Sequence, residues 1–346
     1  MILTFRYRVK TPGNLPALAR TVNLVWNYCG DVQNQARRWA KRWPTGFDLI
    51  RLTRASRDLG LHSDSIAAVC LQFVRSRDAA KRRPRWRASS GRKRALGWVP
   101  FAAARAIKID GQAAVFQKRR YRLWLHRPVE GKILCGSFAE DARGRWYLNL
   151  QCEIEADRPC GVGEVGIDLG LNTLATLSDG TRIDRRRITA RYEEKLAVAQ
   201  RAGRKARARA IHAKIVNVRK DALHKASAAI AAKYERIVVG NVNAAALAKT
   251  RLAKSVLDAS WSAFRRMLAY KAMRHRAAYV ETDERYSTQR CSECGSLGGP
   301  KGIAALGVRE WICGVCGVLH DRDINAARNL LSGWNVNLHL TESPSL

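Results

Sequence analysis

Cys291-Ser-Glu-Cys294, Cys313-Gly-Val-Cys316 and His320-Asp-Arg-Asp323-Ile-Asn325-Ala-Ala decide the reading of this chain. The two Cys-x-x-Cys pairs, eighteen residues apart, have the spacing of a zinc ribbon. Four thiolates complete a tetrahedral, closed Zn2+ site, which leaves no open position for catalysis. Disulfides or an iron–sulfur cluster are the alternatives, and the character of the chain favours zinc. The Asp-Arg-Asp run then opens a helix, where the helix dipole favours a carboxylate. It has the pattern of the edge of a metal-dependent nuclease centre.

A partner for that edge lies upstream in Val165-Gly-Ile-Asp168-Leu-Gly-Leu-Asn-Thr. A carboxylate that ends a buried strand, followed by glycine and a hairpin, is how an RNase H-like fold places its first metal ligand. Taken alone, Asp323 reads as a helix cap. The pairing with Asp168 across the cysteine segment favours a catalytic reading. Two-metal phosphodiester cleavage needs several acidic oxygens converging on ions roughly 3.5–4 Å apart.

Outward from these motifs, periodicity lays out the rest. Residues 2–9 alternate at period two, with Leu3, Phe5, Tyr7 and Val9 on one face. Helical spacing follows from Leu15 to Trp39, then over about 47–58 and 65–82. Strands return from about 106 to 154, with a hairpin turn at Asp141-Ala-Arg-Gly144. Together with the first strand they suggest one β-barrel with the helices inserted into it. From Gly163 the pattern changes to strands at 165–168 and 174–178. Basic helices over 188–202 and 206–234 come next, broken at Gly203, then a strand at 236–240. A helix near 258–275, a strand at 278–282 and a last helix from Asp323 to about Leu331 complete the order.

Lys and Arg number 63 against 29 Asp and Glu, a formal net charge of +34. Such an excess favours a polyanion partner, since each neutralised phosphate releases counterions. A ribosomal or membrane-surface protein is the bland alternative, and charge spread over nearly the whole chain suits a long nucleic-acid channel better. Arg83, Arg85, Trp86, Arg87, Arg92, Lys93 and Arg94 interleave cations with an aromatic ring, as phosphate contact and base stacking require. A solvated linker explains that loop equally well. No apolar run reaches the length of a membrane span, and the start of the chain reads as a strand, so a prokaryotic cytosolic location is expected. Cys29, Cys70, Cys135, Cys152 and Cys160 read as reduced structural cysteines.

The ordered set of Gly166-Ile-Asp-Leu-Gly-Leu-Asn-Thr, Lys214-Ile-Val-Asn-Val-Arg219-Lys220, Ile237-Val-Val-Gly-Asn, Tyr286-Ser-Thr-Gln-Arg-Cys and His320-Asp-Arg-Asp-Ile-Asn-Ala-Ala resembles the TnpB family. These are RNA-guided nucleases of insertion sequences, related to type V CRISPR effectors. The motif-rich match covers residues 163–332; the N-terminal half agrees only in layout. The resemblance implies an α/β plus β-barrel chain: a RuvC/RNase H-like nuclease domain with an inserted zinc ribbon, preceded by a wedge-like β-barrel carrying a helical recognition insert. The implied boundaries are 1–12 and 83–160 for the barrel, 13–82 for the insert, 161–284 and 321–334 for the nuclease domain, 285–320 for the ribbon and 335–346 for a flexible tail. It further implies catalytic Mg2+, two ions, and structural Zn2+. The implied partners are a guide RNA and target double-stranded DNA with a displaced strand. The protein would read a short flanking motif while base pairing reads sequence. Arg204, Lys205, Lys214, Arg219 and Lys220 would contact the RNA or heteroduplex.

One departure stands out. The family's second catalytic residue is usually a glutamate ending the third sheet strand, where this chain has Gly240-Asn241. Glu284 is the expected substitute, with Glu281 and Asp283 as fallbacks and Glu235 behind them. Glu284 as a surface acid that positions the ribbon is the competing view. The expectation is therefore a divalent-metal-dependent endonuclease using Asp168, Glu284 and Asp323. Its rivals are a nuclease-dead guided repressor, a compact type V CRISPR effector, a transposase and a generic zinc-ribbon binder.

Overall fold

The computed structural model describes residues 1–39, 42–54, 59–184, 187–242, 260–301 and 304–333. The chain divides into two units, Met1–Glu155 and Ala156–Leu346.

The first unit is built on seven antiparallel strands. They are β1 (Ile2–Val9), β2 (Trp98–Phe101), β3 (Ile107–Asp110), β4 (Ala113–Phe116), β5 (Arg119–Trp124), β6 (Lys132–Glu140) and β7 (Trp146–Glu153), in the order β2-β6-β7-β1-β5-β4-β3. Alternation sends Phe5, Tyr7 and Val9 inward and leaves Arg6 and Arg8 exposed. Phe101 on β2 meets Phe116 on β4 at 5.7 Å between ring centroids, so opposite ends of the sheet share one aromatic core. No ladder joins the edge strands β2 and β3 among the described residues, so the expected barrel is a curled sheet rather than a closed one. Strand β2 falls before the expected start of the strands at about residue 106, and it contains Pro100. It lies at an edge, where a missing N–H is tolerated.

Three helices join this core: α1 (Leu15–Trp39), α2 (Gly46–Arg54) and α3 (Ser63–Ala80). Val22, Val25, Trp26 and Cys29 on α1 pack in one apolar cluster with Val69, Cys70 and Phe73 on α3. Helix α2 ends its described span at Arg54, and residues 55–58 of the expected helix lie outside the described residues. None of the nine cysteines is joined in a disulfide.

The second unit holds a five-stranded mixed sheet. Its strands are β8 (Glu164–Leu169), β9 (Thr173–Leu177), β10 (Arg182–Asp184), β11 (Arg236–Gly240) and β12 (Ala278–Thr282), in the order β10-β9-β8-β11-β12. Strands β8, β11 and β12 run parallel, with Ile167 opposite Val239 and Gly240 opposite Thr282. Their carboxyl ends therefore share one edge. Helices α4 (Ile188–Arg201) and α5 (Lys205–Lys233) meet at Gly203; α6 is Trp261–Arg274 and α7 is Arg322–Ser332. The expected start of α6 at Asp258 lies outside the described residues, as do residues 335–346 of the expected tail.

Side-chain parity sorts the two faces of this sheet. Val165, Ile167, Leu169, Ile237 and Val239 share a cluster with Leu223 and Ile230 of α5 and Phe264 and Leu268 of α6. Residues of the other parity face α7: at Gly166 an added Cβ would stand 1.9 Å from the Ala327 carbonyl oxygen. Only glycine admits the helix backbone this closely. Among the described residues, no helix is long and apolar enough to cross a membrane.

Candidate active site

Asp168 has the parity of Gly166, so it emerges on the α7 face at the carboxyl edge of β8, where open α/β sheets bind ligands. Burial pushes its carboxyl up to about 7, and the negative charges of Asp323 and Glu284 push the same way, while Arg322 opposes them. The three carboxylates are thus electrostatic neighbours although they come from distant segments. Burial and the adjacent Asp283 also raise Glu284 above the usual carboxylate range, against Arg265.

Helix α7 carries Asp323 in its first turn. The Asp321 side chain caps the helix, accepting from the backbone N–H groups of Asp323 and Ile324 at 3.1 and 2.9 Å. Asp321, and not Asp323, is therefore the cap, satisfying two of the helix's orphan donors. Arg309 approaches it at 3.5 Å.

Gly240, where the resemblance led to the expectation of a glutamate, has an acid beside it. A Cβ added at Gly240 would lie 3.5 Å from both Cβ and Oε2 of Glu284. Glu284 therefore sits against the end of β11. Among the fallback acids, Glu281 has Tyr279's parity and turns to the α6 side, where Arg265 binds it at 3.1 Å and the Tyr279 hydroxyl donates to it. Asp283 accepts from the Arg285 amide. Glu235 precedes β11, at the opposite end of that strand from Gly240.

The cysteines Cys291, Cys294, Cys313 and Cys316 lie with their sulfurs within 4.8 Å of one another. The two knuckles repeat one geometry: the Gly295 amide donates to the Cys291 carbonyl and the Gly317 amide to the Cys313 carbonyl. Both glycines take positive φ, 77° and 73°, which L side chains resist. The Ser296 hydroxyl beside Cys313 holds that thiol down at about 5, favouring the thiolate a metal needs. Strands β13 (Glu310–Ile312) and β14 (Leu319–Asp321) form the hairpin that carries the second knuckle into α7.

The expected nucleic-acid contacts divide. Arg83, Arg85, Arg92, Lys93 and Trp86 are exposed, and Arg83, Arg85 and Trp86 line a cavity of about 400 Å³ beside Trp26. Arg87 turns inward instead, donating to the Asn23 side chain at 2.7 Å and the Leu96 carbonyl at 2.8 Å. Arg94 forks onto Glu140 at 2.8 and 2.9 Å. Both side chains tie the loop to its surroundings, since guanidinium groups pair well with carbonyls and carboxylates. Arg204, Lys205, Lys214 and Lys220 are exposed, whereas Arg219 donates to Thr189 on α4.

Residues 150–251 match the family model OrfB_IS605, a "Probable transposase", and residues 261–330 match the Cas12f1-like TNB domain. A Streptomyces pristinaespiralis protein named "Putative RNA-guided DNA endonuclease" is 36% identical over 56% of this chain and 51% of its own length. Escherichia coli "Putative RNA-guided DNA endonuclease InsQ" is 32% identical over 67% of this chain and 65% of its own length. The chain thus spans between half and two thirds of these two relatives. A chain of a solved Cas12f1–sgRNA–target DNA complex aligns over 96% of this chain and 99% of its own at 12% identity; its TM-score of 0.39 lends the alignment no weight. With the ordered motifs and both family models spanning the second unit, the chain belongs to the TnpB family.

Proposed function

We propose that this chain is an RNA-guided DNA endonuclease that hydrolyses phosphodiester bonds at Asp168, Glu284 and Asp323. The observation that carries the reading is the convergence of those carboxylates on one face and one edge of the five-stranded sheet. The sheet with α7 across it is read as a RuvC/RNase H-like domain, with residues 285–320 as an inserted zinc ribbon. The curled sheet and α1–α3 are read as its wedge and recognition parts.

The acid cluster fits hard divalent cations. Burial first, and then the negative charges of Asp323 and Glu284, hold Asp168 at about 7. Oxygen-only donors of this kind suit Mg2+. When bound, two magnesium ions supply charge to the scissile phosphate and the attacking water. Asp168 and Asp323 hold their oxygens from a strand end and a helix start, and Glu284 supplies the third from the segment after β12. The cysteine cluster fits Zn2+ by the same test: tetrahedral thiolates 2.3 Å from zinc stand about 3.8 Å apart. The sulfur pairs Cys291–Cys316 and Cys294–Cys313 stand 3.6 Å apart.

A guide RNA and double-stranded target DNA are the proposed partners. The net charge of +34 and the exposed cations of the 81–98 loop and α5 support a polyanion. The test is to sequence the RNA that co-purifies with the protein, then challenge the complex with a matching DNA library carrying randomised flanks in magnesium. Cutting beside one flanking motif, lost in Glu284→Ala, is expected. Guided binding without cutting would refute the nuclease reading and make the protein a programmable repressor, the alternative that Gly240 keeps open.

A further inference from the structure

His320 belongs to neither the four sulfurs nor the acid cluster, yet it is buried against the first and lies between Cys316 and Asp323 in sequence. Its Nε2 lies 3.0 Å from the Cys291 sulfur, with both side chains buried. Its ring packs on Trp311 at 4.8 Å between centroids, which fixes the plane of the imidazole. Among the described residues, the four cysteine sulfurs are close enough to share one ion, and His320 is not part of that group. Nε2–H is thus placed to donate to a sulfur that, as a thiolate, accepts a charge-assisted hydrogen bond.

The same knuckle is held from a second side. Asn325 Nδ2 donates to the carbonyls of Ser287 and Arg290, at 3.3 and 2.7 Å. Asn329, one helical turn on, donates to the same two carbonyls at 2.8 and 2.7 Å. Asn325 Oδ1 accepts from the Ser292 amide at 2.9 Å. The backbone on both sides of Cys291 is therefore gripped by α7, and its sulfur by the residue just before the Asp321 cap. Asp323 lies between the two grips.

We infer that His320, Asn325 and Asn329 form a clasp through which the cysteine cluster fixes the start of α7, and with it the position of Asp323. These are positioning residues: none is placed to touch substrate. Groups that orient metal ligands from behind typically change metal affinity about 10–100-fold when removed. Here the grip also runs outward, so loss of zinc loosens the acid cluster. The inference rests on the proposed zinc and magnesium sites.

The test uses the full chain, with zinc release to a chromophoric chelator and Mn2+ binding at the acid cluster by electron paramagnetic resonance. Asp168→Asn identifies the Mn2+ signal that belongs to the cluster. His320→Ala is expected to release zinc about 10–100-fold faster. His320→Gln, which keeps an N–H donor, should restore most of the wild-type rate. Asn325→Ala should weaken Mn2+ binding while zinc remains bound. Stripping zinc from the wild-type chain should weaken Mn2+ binding too, an arm that needs no variant to fold. Unchanged zinc release in His320→Ala, or Mn2+ affinity indifferent to zinc, would overturn the clasp. A wild-type chain that takes up no zinc, or whose Mn2+ binding ignores Asp168→Asn, would overturn the proposed sites and the clasp with them.

Discussion

Gly166→Ala is the sharpest mechanical test of how β8 and α7 bring Asp168 and Asp323 together. The added Cβ would lie 1.9 Å from the Ala327 carbonyl oxygen, 3.0 Å from its carbon and 2.9 Å from Leu331 Cβ. Carbon and carbonyl oxygen settle at roughly 3.3 Å or more, so the shortfall is about 1.4 Å. The obstacle is helix backbone, so no rotamer change relieves it, and strand and helix must part. Ala326, Ala327 and Leu330 are buried on α7, and a gap of 0.5–1 Å already forfeits a quarter to a half of a dispersion contact. Overpacking of this kind costs about 1–3 kcal/mol, and a backbone obstacle belongs at the upper end. Asp323 rides on the same helix, and a displacement of about 1 Å at a reacting group costs on the order of 100-fold in rate. Urea unfolding reports the first effect and single-turnover DNA cleavage in magnesium the second. Gly298→Ala is the control, since a Cβ there meets nothing within 4 Å. If Gly166→Ala unfolds at the wild-type midpoint and cleaves at the wild-type rate, the close approach of α7 to β8 is wrong.

Three further perturbations separate parts of the structure. Glu284→Ala should abolish cleavage while guided binding persists, whereas Glu281→Ala, which removes an Arg265 partner on the other face, should change the cleavage rate only a few-fold; equal effects would refute the parity assignment. Asp179 is held well below the usual carboxylate range: burial pushes it up, but the Tyr234 hydroxyl, the Thr181 amide and Lys233 outweigh burial. Its folded pKa is depressed, so its stabilisation is present above about pH 4 and is lost as pH falls through the folded value. Asp179→Asn should therefore cost about 1 kcal/mol at neutral pH by urea unfolding, a figure already reduced because the Lys233 partner is exposed. That deficit should shrink below about pH 4, and one that persists undiminished at pH 2 would refute the linkage. Removing zinc should open residues 285–320 to protease, because a closed thiolate site contributes directly to local folding; unchanged protection after chelation would count against a structural metal.

Much of this chain was legible from its letters. Period-two alternation placed β1 and its inward face, helical spacing placed α1, and Gly203 marked the break between α4 and α5, because these patterns follow from local geometry alone. The cysteine spacing announced a four-sulfur cluster for the same reason: a Cys-x-x-Cys knuckle closes on itself. Glu284 shows where local reading stops. The acids at 281, 283 and 284 are adjacent in sequence, and only the register of β12 against β11 sends Glu281 toward Arg265 and leaves Glu284 against Gly240. The even parity shared by Val280, Thr282 and Glu284 was a usable signal once Tyr279 was assigned to the α6 face. Arg87 and Arg94 could not be told from the other cations of the loop until Asn23 and Glu140 were in place to pair with them. Local pattern in the letters was enough for most of the helices and strands, the cysteine cluster and the family. Which acid lies beside Gly240 and which polar partners receive Arg87 and Arg94 emerge from the folded chain alone, because both depend on strand register and long-range packing that no local spacing encodes.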